Sequence, residues 1–142
     1  MILLDTNIIS EIMRPAPSQA VLNWLNRQEP QTLYLSTITI GEIEYGLRIL
    51  PDGKRRNALR QLFNRFVSQA FSQRILPFEE KAARLYGEIM GQRKELGRPM
   101  SIPDGQIAAI AVSQGIAAIA TRNIRDFEEC GIALINPYQQ TN

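Results

Sequence analysis

Short apolar runs alternate with longer amphipathic stretches along the whole chain. Ile2-Leu3-Leu4 is a strand-type run that stops at Asp5-Thr6-Asn7, three residues suited to a turn or a helix cap. A first short helix follows and is closed by Pro15 and Pro17. Ser18 can cap a second helix with Val21, Leu22, Trp24 and Leu25 on its inner side, and Leu33-Tyr34-Leu35 reads as the next strand. From Thr39, the residues Ile40, Ile43, Leu47 and Leu50 recur at helical spacing until Pro51-Asp52-Gly53 breaks the pattern. Leu59, Leu62, Phe63, Phe66 and Ala70 form another amphipathic stripe, and Arg74-Ile75-Leu76-Pro77 reads as a third strand. Ala82, Leu85, Tyr86, Ile89 and Met90 mark a helix that ends near Gly97 and Pro99. The helix expected from Pro103 to Gln114 is apolar over most of its surface and is therefore expected to be buried. Ala117 to Ala120 is then a strand, Thr121-Arg122-Asn123 a turn, and a brief helix around Asp126 and Phe127 leads to a last strand at Ala133-Leu134-Ile135.

Apolar strands of three to five residues alternating with helices predict an α/β fold: a short, mostly parallel sheet of about five strands with helices on both faces. Right-handed crossovers place the carboxyl ends of the strands on one edge, where ligands bind in such folds. The 142 residues suffice for one real core and not for two, so residues 1–142 are read as a single domain without repeat, low-complexity tract or linker.

Composition narrows the chemistry. Apolar residues make up 44% and charged ones 21%, a globular balance, and no segment reaches the roughly 18 consecutive apolar residues of a membrane span. Asp5 and Glu11 stand where a signal peptide would carry lysines and a longer apolar run, so a cytoplasmic protein is expected. Cys130 is the only cysteine and there is no histidine. Those two facts exclude an internal disulfide, thiolate and imidazole metal sites, and Ser-His-Asp triads. Hydrolytic chemistry would have to run on carboxylates, lysine or a hard metal.

Four acids sit where strands hand over to helices. Asp5 follows the first strand, Glu42 lies about one turn into the helix after the second, Asp104 opens the buried helix, and Asp126 follows the fourth strand. Each has a plain structural alternative. Asp5 or Asn7 can cap a helix, Thr39-Ile40-Gly41-Glu42 fits a capping box, Ser101-Ile102-Pro103-Asp104 is a good helix start, and Asp126 can pair with Arg122 or Arg125. Together, however, carboxylates converging on one edge repel one another and raise each other's pKa values, which a bound divalent cation resolves. Oxygen-only ligands select Mg²⁺, with Mn²⁺ a substitute, over zinc. Such a site suits phosphodiester hydrolysis by water, leaving 5′-phosphate and 3′-hydroxyl ends. The net charge of +2 is unevenly spread, because Arg48, Lys54, Arg55, Arg56, Arg60 and Arg65 fall in one stretch. That run reads either as a solvated face or as a contact for a polyanion.

The motifs LLDTNIISE at 3–11, STITIGEIEYG at 36–46, PDGQIAAIA at 103–111 and ATRNIRDF at 120–127, then INP at 135–137, resemble the PIN-domain family, in particular its VapC and FitB type of bacterial toxin. The resemblance runs from Met1 to about Tyr138. It implies a PIN-like three-layer sandwich and a Mg²⁺-dependent endoribonuclease acting on tRNA or other structured RNA. It further implies a homodimer held inactive by a small antitoxin, with operator DNA bound only through that antitoxin. Position by position, Asp5, Glu42 and Asp104 match the family's three acids and Asp126 the more variable fourth. Thr6, Asn7, Ser36 and Asn123 match polar positions that support the metal or its waters, and Asp5 and Asp104 would be its direct ligands. Arg48, Lys54, Arg55, Arg56 and Arg60 would contact RNA phosphates or lie where the antitoxin packs. Two departures stand out: Asn123 replaces an acid found in some relatives, and Pro103 and Gly105 replace the alanines that usually flank the third acid.

Other readings fit less well. A haloacid-dehalogenase-like phosphatase needs a second Asp where Asn7 stands, and a receiver domain needs a phosphoacceptor Asp at a later strand end and a lysine near the active edge. The non-enzymatic alternative is a catalytically silent PIN scaffold that acts as the antitoxin's co-repressor on promoter DNA; retention of all four acids argues against it.

Overall fold

The structure is a computed structural model and describes residues 1–139. Five strands, β1 (Ile2–Leu4), β2 (Leu33–Ser36), β3 (Ile75–Leu76), β4 (Ala118–Ala120) and β5 (Ala133–Ile135), form one sheet in the order β3-β2-β1-β4-β5. Every pairing is parallel, so the sheet expected to be mostly parallel is wholly so among the described residues. Strand alternation divides the core. Leu3, Tyr34, Ile119 and Leu134 point into one apolar layer, and Leu4, Leu33, Leu35 and Ala120 into the other.

Helices α1 (Thr6–Ile12), α2 (Gln19–Asn26), α3 (Thr37–Ile49) and α4 (Lys54–Arg65) cover the second layer, and α5 (Glu80–Glu95) and α6 (Ile102–Ser113) the first. The predicted burial of α6 holds: Ile107 to Ala111 are all fully buried. Gly105 allows α5 to come close, because a Cβ there would lie 2.4 Å from the Met90 sulfur. Gly105, one of the two residues that depart from the flanking alanines the resemblance implies, therefore leaves room for Met90.

Two local details differ from expectation. Helix α3 begins at Thr37 rather than Thr39, because the buried Ser36 caps it, its Oγ accepting from Thr39 N at 3.1 Å. The Thr39–Glu42 capping box is consequently not used, and the Glu42 carboxylate is bonded elsewhere. The stripe after Leu59 runs past α4 into a single π turn, Phe66–Ala70, which lets Phe71 enter the core. Short 3₁₀ turns at Pro30–Thr32 and Pro137–Gln139 carry no periodic signal and were not anticipated. Among the described residues no helix is long and apolar enough to cross a membrane.

The last turn is tied to the first helix by a buried acid. Glu11, 5% exposed, accepts from Ser18 N at 2.8 Å and from the Tyr138 hydroxyl at 3.0 Å, with Arg14 at 3.4 Å. The Ser18 amide, then Tyr138 and Arg14, hold its carboxyl below its ordinary 4.5 against the opposing effect of burial. Burial and the facing Glu11 push the Tyr138 phenol up to about 12. Because the Glu11 pKa is lower folded than unfolded, its stabilisation is complete above pH 4.5 and is lost as pH falls through the folded value. Glu11→Gln should lower stability at pH 7 by about 1.5–3 kcal/mol, the scale of a charged hydrogen bond. Denaturant melts of the two proteins should converge as pH falls below the lowered Glu11 pKa; a gap that persists at the acid end of the titration would remove the charge from the explanation.

Candidate active site

The strand order reverses between β1 and β4: β2 lies on one side of β1, and β4, reached after the long crossover through α5 and α6, lies on the other. This switch point opens a crevice at the carboxyl ends of the two strands. Asp5 sits in it. Its amide continues the sheet by donating to Ala120 O at 2.9 Å, and its side chain, 5% exposed, caps α1. One carboxylate oxygen accepts from Thr6 N at 2.8 Å and the other from the Thr121 hydroxyl at 2.8 Å. The Thr121 oxygen itself accepts from Asn123 N at 3.1 Å and from the Asn7 side-chain amide at 3.4 Å. With both lone pairs filled, its proton points to Asp5.

A second chain of hydroxyls fixes Glu42. Thr6 Oγ1 donates to Glu42 Oε1 at 2.6 Å, so at the 3.0 Å contact between Thr6 and Thr39 the proton comes from Thr39. Ser36 donates to Thr39 at 3.4 Å and completes the line. Asp104 occupies the first turn of α6, with Ser101 as the cap accepting from Asp104 N at 3.3 Å. Its acid is favoured there by the helix dipole.

The electrostatics join these acids into one site. Burial pushes the Asp5 carboxyl up to about 6 from 3.8, opposed by the Thr121 and Thr6 hydrogen bonds and reinforced by the charges of Asp104 and Glu42. Asp104 is raised as well, first by burial and then by Asp126 and Glu42, with Ser101 and Arg93 opposing. Asp126 is exposed on the 3₁₀ turn Ile124–Phe127, and neither Arg122 nor Arg125 forms an ion pair with it. That turn is held by Arg93, 3% exposed, which donates to Asp126 O at 3.0 Å, Glu128 O at 2.9 Å and Arg98 O at 2.7 Å. Arg93 escaped the sequence reading, although it continues the inward stripe of Ala82, Tyr86 and Ile89. Thr121 and Thr39, read there only as a turn residue and part of a capping box, hold Asp5 directly and Glu42 through Thr6.

The donor set fits a hard divalent cation: carboxylate oxygens only, with Asp5 raised first by its burial and then by the charges of Asp104 and Glu42. Among the described residues no three acids are gathered into a ready-made cage, but Mg²⁺ requires only one or two carboxylates and completes its shell with water. Asp5 and Asp104 are the two acids the sequence expects as its direct ligands. Of the predicted supporting groups, Thr6 bonds Glu42 and Asn7 bridges to the β4 turn, accepting from Arg122 N at 3.2 Å. Ser36 is committed to capping α3, and Asn123 is exposed beside Asp126.

The profile of the PIN-domain family matches residues 2–132. The chain belongs to that family. It is 43% identical over 139 residues to the VapC ribonuclease Y4jK of Sinorhizobium fredii, covering 98% of this chain and 99% of that protein. It is 38% identical to the toxin FitB of Neisseria gonorrhoeae, covering 97% and 99%. The crystal structure of FitAcB from Neisseria gonorrhoeae superposes with a TM-score of 0.91 at 38% identity, over 99% of this chain and 100% of that one. This PIN domain thus has the expected parallel sheet and both helical layers.

The basic stretch of this PIN domain divides in two. Arg48 ends α3 in solvent, whereas α4 begins with the exposed Lys54 and Arg55, then the half-buried Arg56, whose guanidinium donates to Leu50 O at 3.4 Å, and Arg60. A groove of about 670 Å³ starts at Thr6 and Glu42 and runs between α1, α3 and α4 past Met13, Leu47 and Leu59, with Arg55 on its wall.

The raised Asp5 pKa means that its ionised form costs free energy at neutral pH, on the scale of about 3 kcal/mol for a shift of this size. Asp5→Asn should therefore melt no lower than the wild type in EDTA at pH 7, despite altering a buried group. Millimolar Mg²⁺ should raise the melting temperature of the wild type alone. Equal metal stabilisation of both proteins, read by calorimetry, would remove Asp5 from the ligand set.

Proposed function

We propose that the chain is the toxin of a type II toxin–antitoxin pair, a Mg²⁺-dependent endoribonuclease that hydrolyses phosphodiester bonds in structured RNA, tRNA foremost. The observation that carries this reading is the buried, raised Asp5 carboxyl at the sheet switch point with the charges of Glu42 and Asp104 bearing on it. The 43% identity to a VapC ribonuclease over nearly the whole chain supports it. A Mg²⁺ ion bound at Asp5 and Asp104 would supply Lewis acidity and make water nucleophilic near neutral pH.

The chain's own groups supply orientation. Thr121 and the Thr6 amide fix both Asp5 oxygens on the protein side, so the remaining lone pairs face the crevice. Thr6 presents Glu42 in one orientation, leaving its second oxygen to take up a proton from water or to bind the metal's water shell. Asp126 works from the opposite wall, directly or through water. Its exposure suits a group engaged by substrate rather than by the fold.

The groove beginning at Thr6 and Glu42 is the seat proposed for the antitoxin, since its apolar wall suits an amphipathic helix more than a phosphate chain. The FitAB complex, a neighbour at TM-score 0.92 and 37% identity, is bound to a DNA fragment, and operator DNA would meet the present chain only through such a partner. The toxin would act as a homodimer in the cytoplasm.

Antitoxin-free protein should cut tRNA into discrete fragments with Mg²⁺ or Mn²⁺ and not in EDTA. Asp5→Asn and Asp104→Asn should each lower the rate by about 10³-fold or more, as loss of a transition-state contact does. Expression of the wild type should arrest growth and the mutants should relieve the arrest. Well-folded, metal-loaded protein that cuts no cellular RNA would overturn the nuclease and favour the silent co-repressor.

A further inference from the structure

A second cavity, of about 550 Å³, shares no lining residue with the apolar groove. It opens between the α5–α6 connection and the turn after β4, and is lined by Arg93, Arg98, Pro99, Arg125, Asp126 and Glu128. Three guanidinium groups there face two carboxylates. Arg93 is fully committed to backbone carbonyls and the Cys130 sulfur at 3.7 Å, so it shapes the cavity and is not available to a ligand. Arg98 is held loosely. Its one carboxylate partner, Glu128, stands at 3.5 Å with both side chains about 40% exposed, and such a pair contributes about 1 kcal/mol at most. The Arg125 guanidinium makes no hydrogen bond, ion pair or ring contact among the described residues, although its backbone oxygen accepts from Arg98 at 3.3 Å.

We infer that this cavity is a phosphate subsite for the RNA strand, in which Arg98 and Arg125 take a backbone phosphate next to the scissile one. The inference rests on the endoribonuclease reading and deepens it. A strand cut at Asp5 and Asp104 must bring polyanion up to a group of carboxylates, and that approach needs cations within one nucleotide step of the acids. Asp126 is a wall of this cavity and its charge bears on Asp104, so the cavity adjoins the acids. A phosphate can displace Glu128 from Arg98, since the fork of a guanidinium binds phosphate bidentately and Glu128 holds it by a single contact. The basic run on α4 is less suited to this task. Its Arg55 borders the apolar groove, and Arg56 is turned onto Leu50 O. The RNA contacts thus move from the charge-dense helix to two arginines that are isolated in sequence.

The test measures binding of fluorescein-labelled total tRNA by anisotropy, on a cleavage-silent Asp104→Asn background with Mg²⁺ present, from 50 to 300 mM NaCl. Arg98→Ala with Arg125→Ala should weaken binding about ten-fold or more at the lowest salt and reduce the salt slope by about 1 to 2. Arg125→Lys should retain most of the slope, which a merely structural role would not require. Arg48→Ala with Arg60→Ala should stay within about two-fold. A double mutant with unchanged melting, affinity and slope, beside a background protein that binds tRNA, overturns the subsite and leaves the nuclease reading standing. A background protein that binds no tRNA at any salt overturns both.

Discussion

Burying a carboxylate at the end of a central strand is expensive, and this fold offsets part of the cost with the local Thr6 amide and with one long-range contact, the Thr121 hydroxyl on Asp5. Asp5 cannot move toward solvent, because its amide is in the sheet through Ala120 O and its side chain starts α1. Thr121 is placed by the same reversal of strand order, being the first residue after β4. The two residues are 116 apart in sequence, so the acid is satisfied only when β1 and β4 pair in the observed register, Leu4 opposite Ala120. Site geometry and sheet topology are therefore a single constraint. A one-residue slip of β4 would both invert its apolar face and leave Asp5 without its donor.

From that contact the site spreads along hydroxyls. Thr6, adjacent to Asp5, fixes Glu42 on α3, and Thr39 and Ser36 fix Thr6 from the carboxyl end of β2. The third acid comes from the other helical layer and is joined by charge alone. The asymmetry is one of support: Asp5 and Glu42 are each oriented by neutral donors, whereas Asp126 stands exposed on its turn.

Much of this was legible in the chain. The strands announce themselves because a parallel sheet covered on both faces needs uninterrupted apolar runs, and Leu4, Leu35 and Ala120 each precede the polar residue that ends the run. The acids were legible for the same reason, since their positions just after strands fix their edge without any side-chain detail. The start of α3 was not, because Ser36 and Thr39 are equally good caps in sequence and only the bond from Thr39 N to the Ser36 hydroxyl decides between them. Thr121 and Arg93 were missed because a threonine after a strand reads as turn chemistry and an arginine on a helix reads as solvent. Their roles depend on partners more than 30 residues away.

The basic residues show the limit of density as a guide. Six of the eight lysines and arginines in the first 65 residues lie on α3 and α4 and draw attention there, yet charge density measures only how far a run repels itself and attracts counterions. What decides whether an arginine meets a phosphate is its distance from the reacting acids and whether its guanidinium is already engaged. On α4, Arg56 is engaged by Leu50 O and Arg55 borders an apolar groove; on the β4 turn, Arg125 is unengaged and shares a cavity with Asp126. Arg93 makes that arrangement possible by binding the carbonyls of Asp126 and Glu128, which holds the turn open toward the α5–α6 connection. A buried arginine bound to three carbonyls thus ties the α5–α6 connection to the β4 turn, and with them sets where the exposed Arg98 and Arg125 of the proposed phosphate subsite stand.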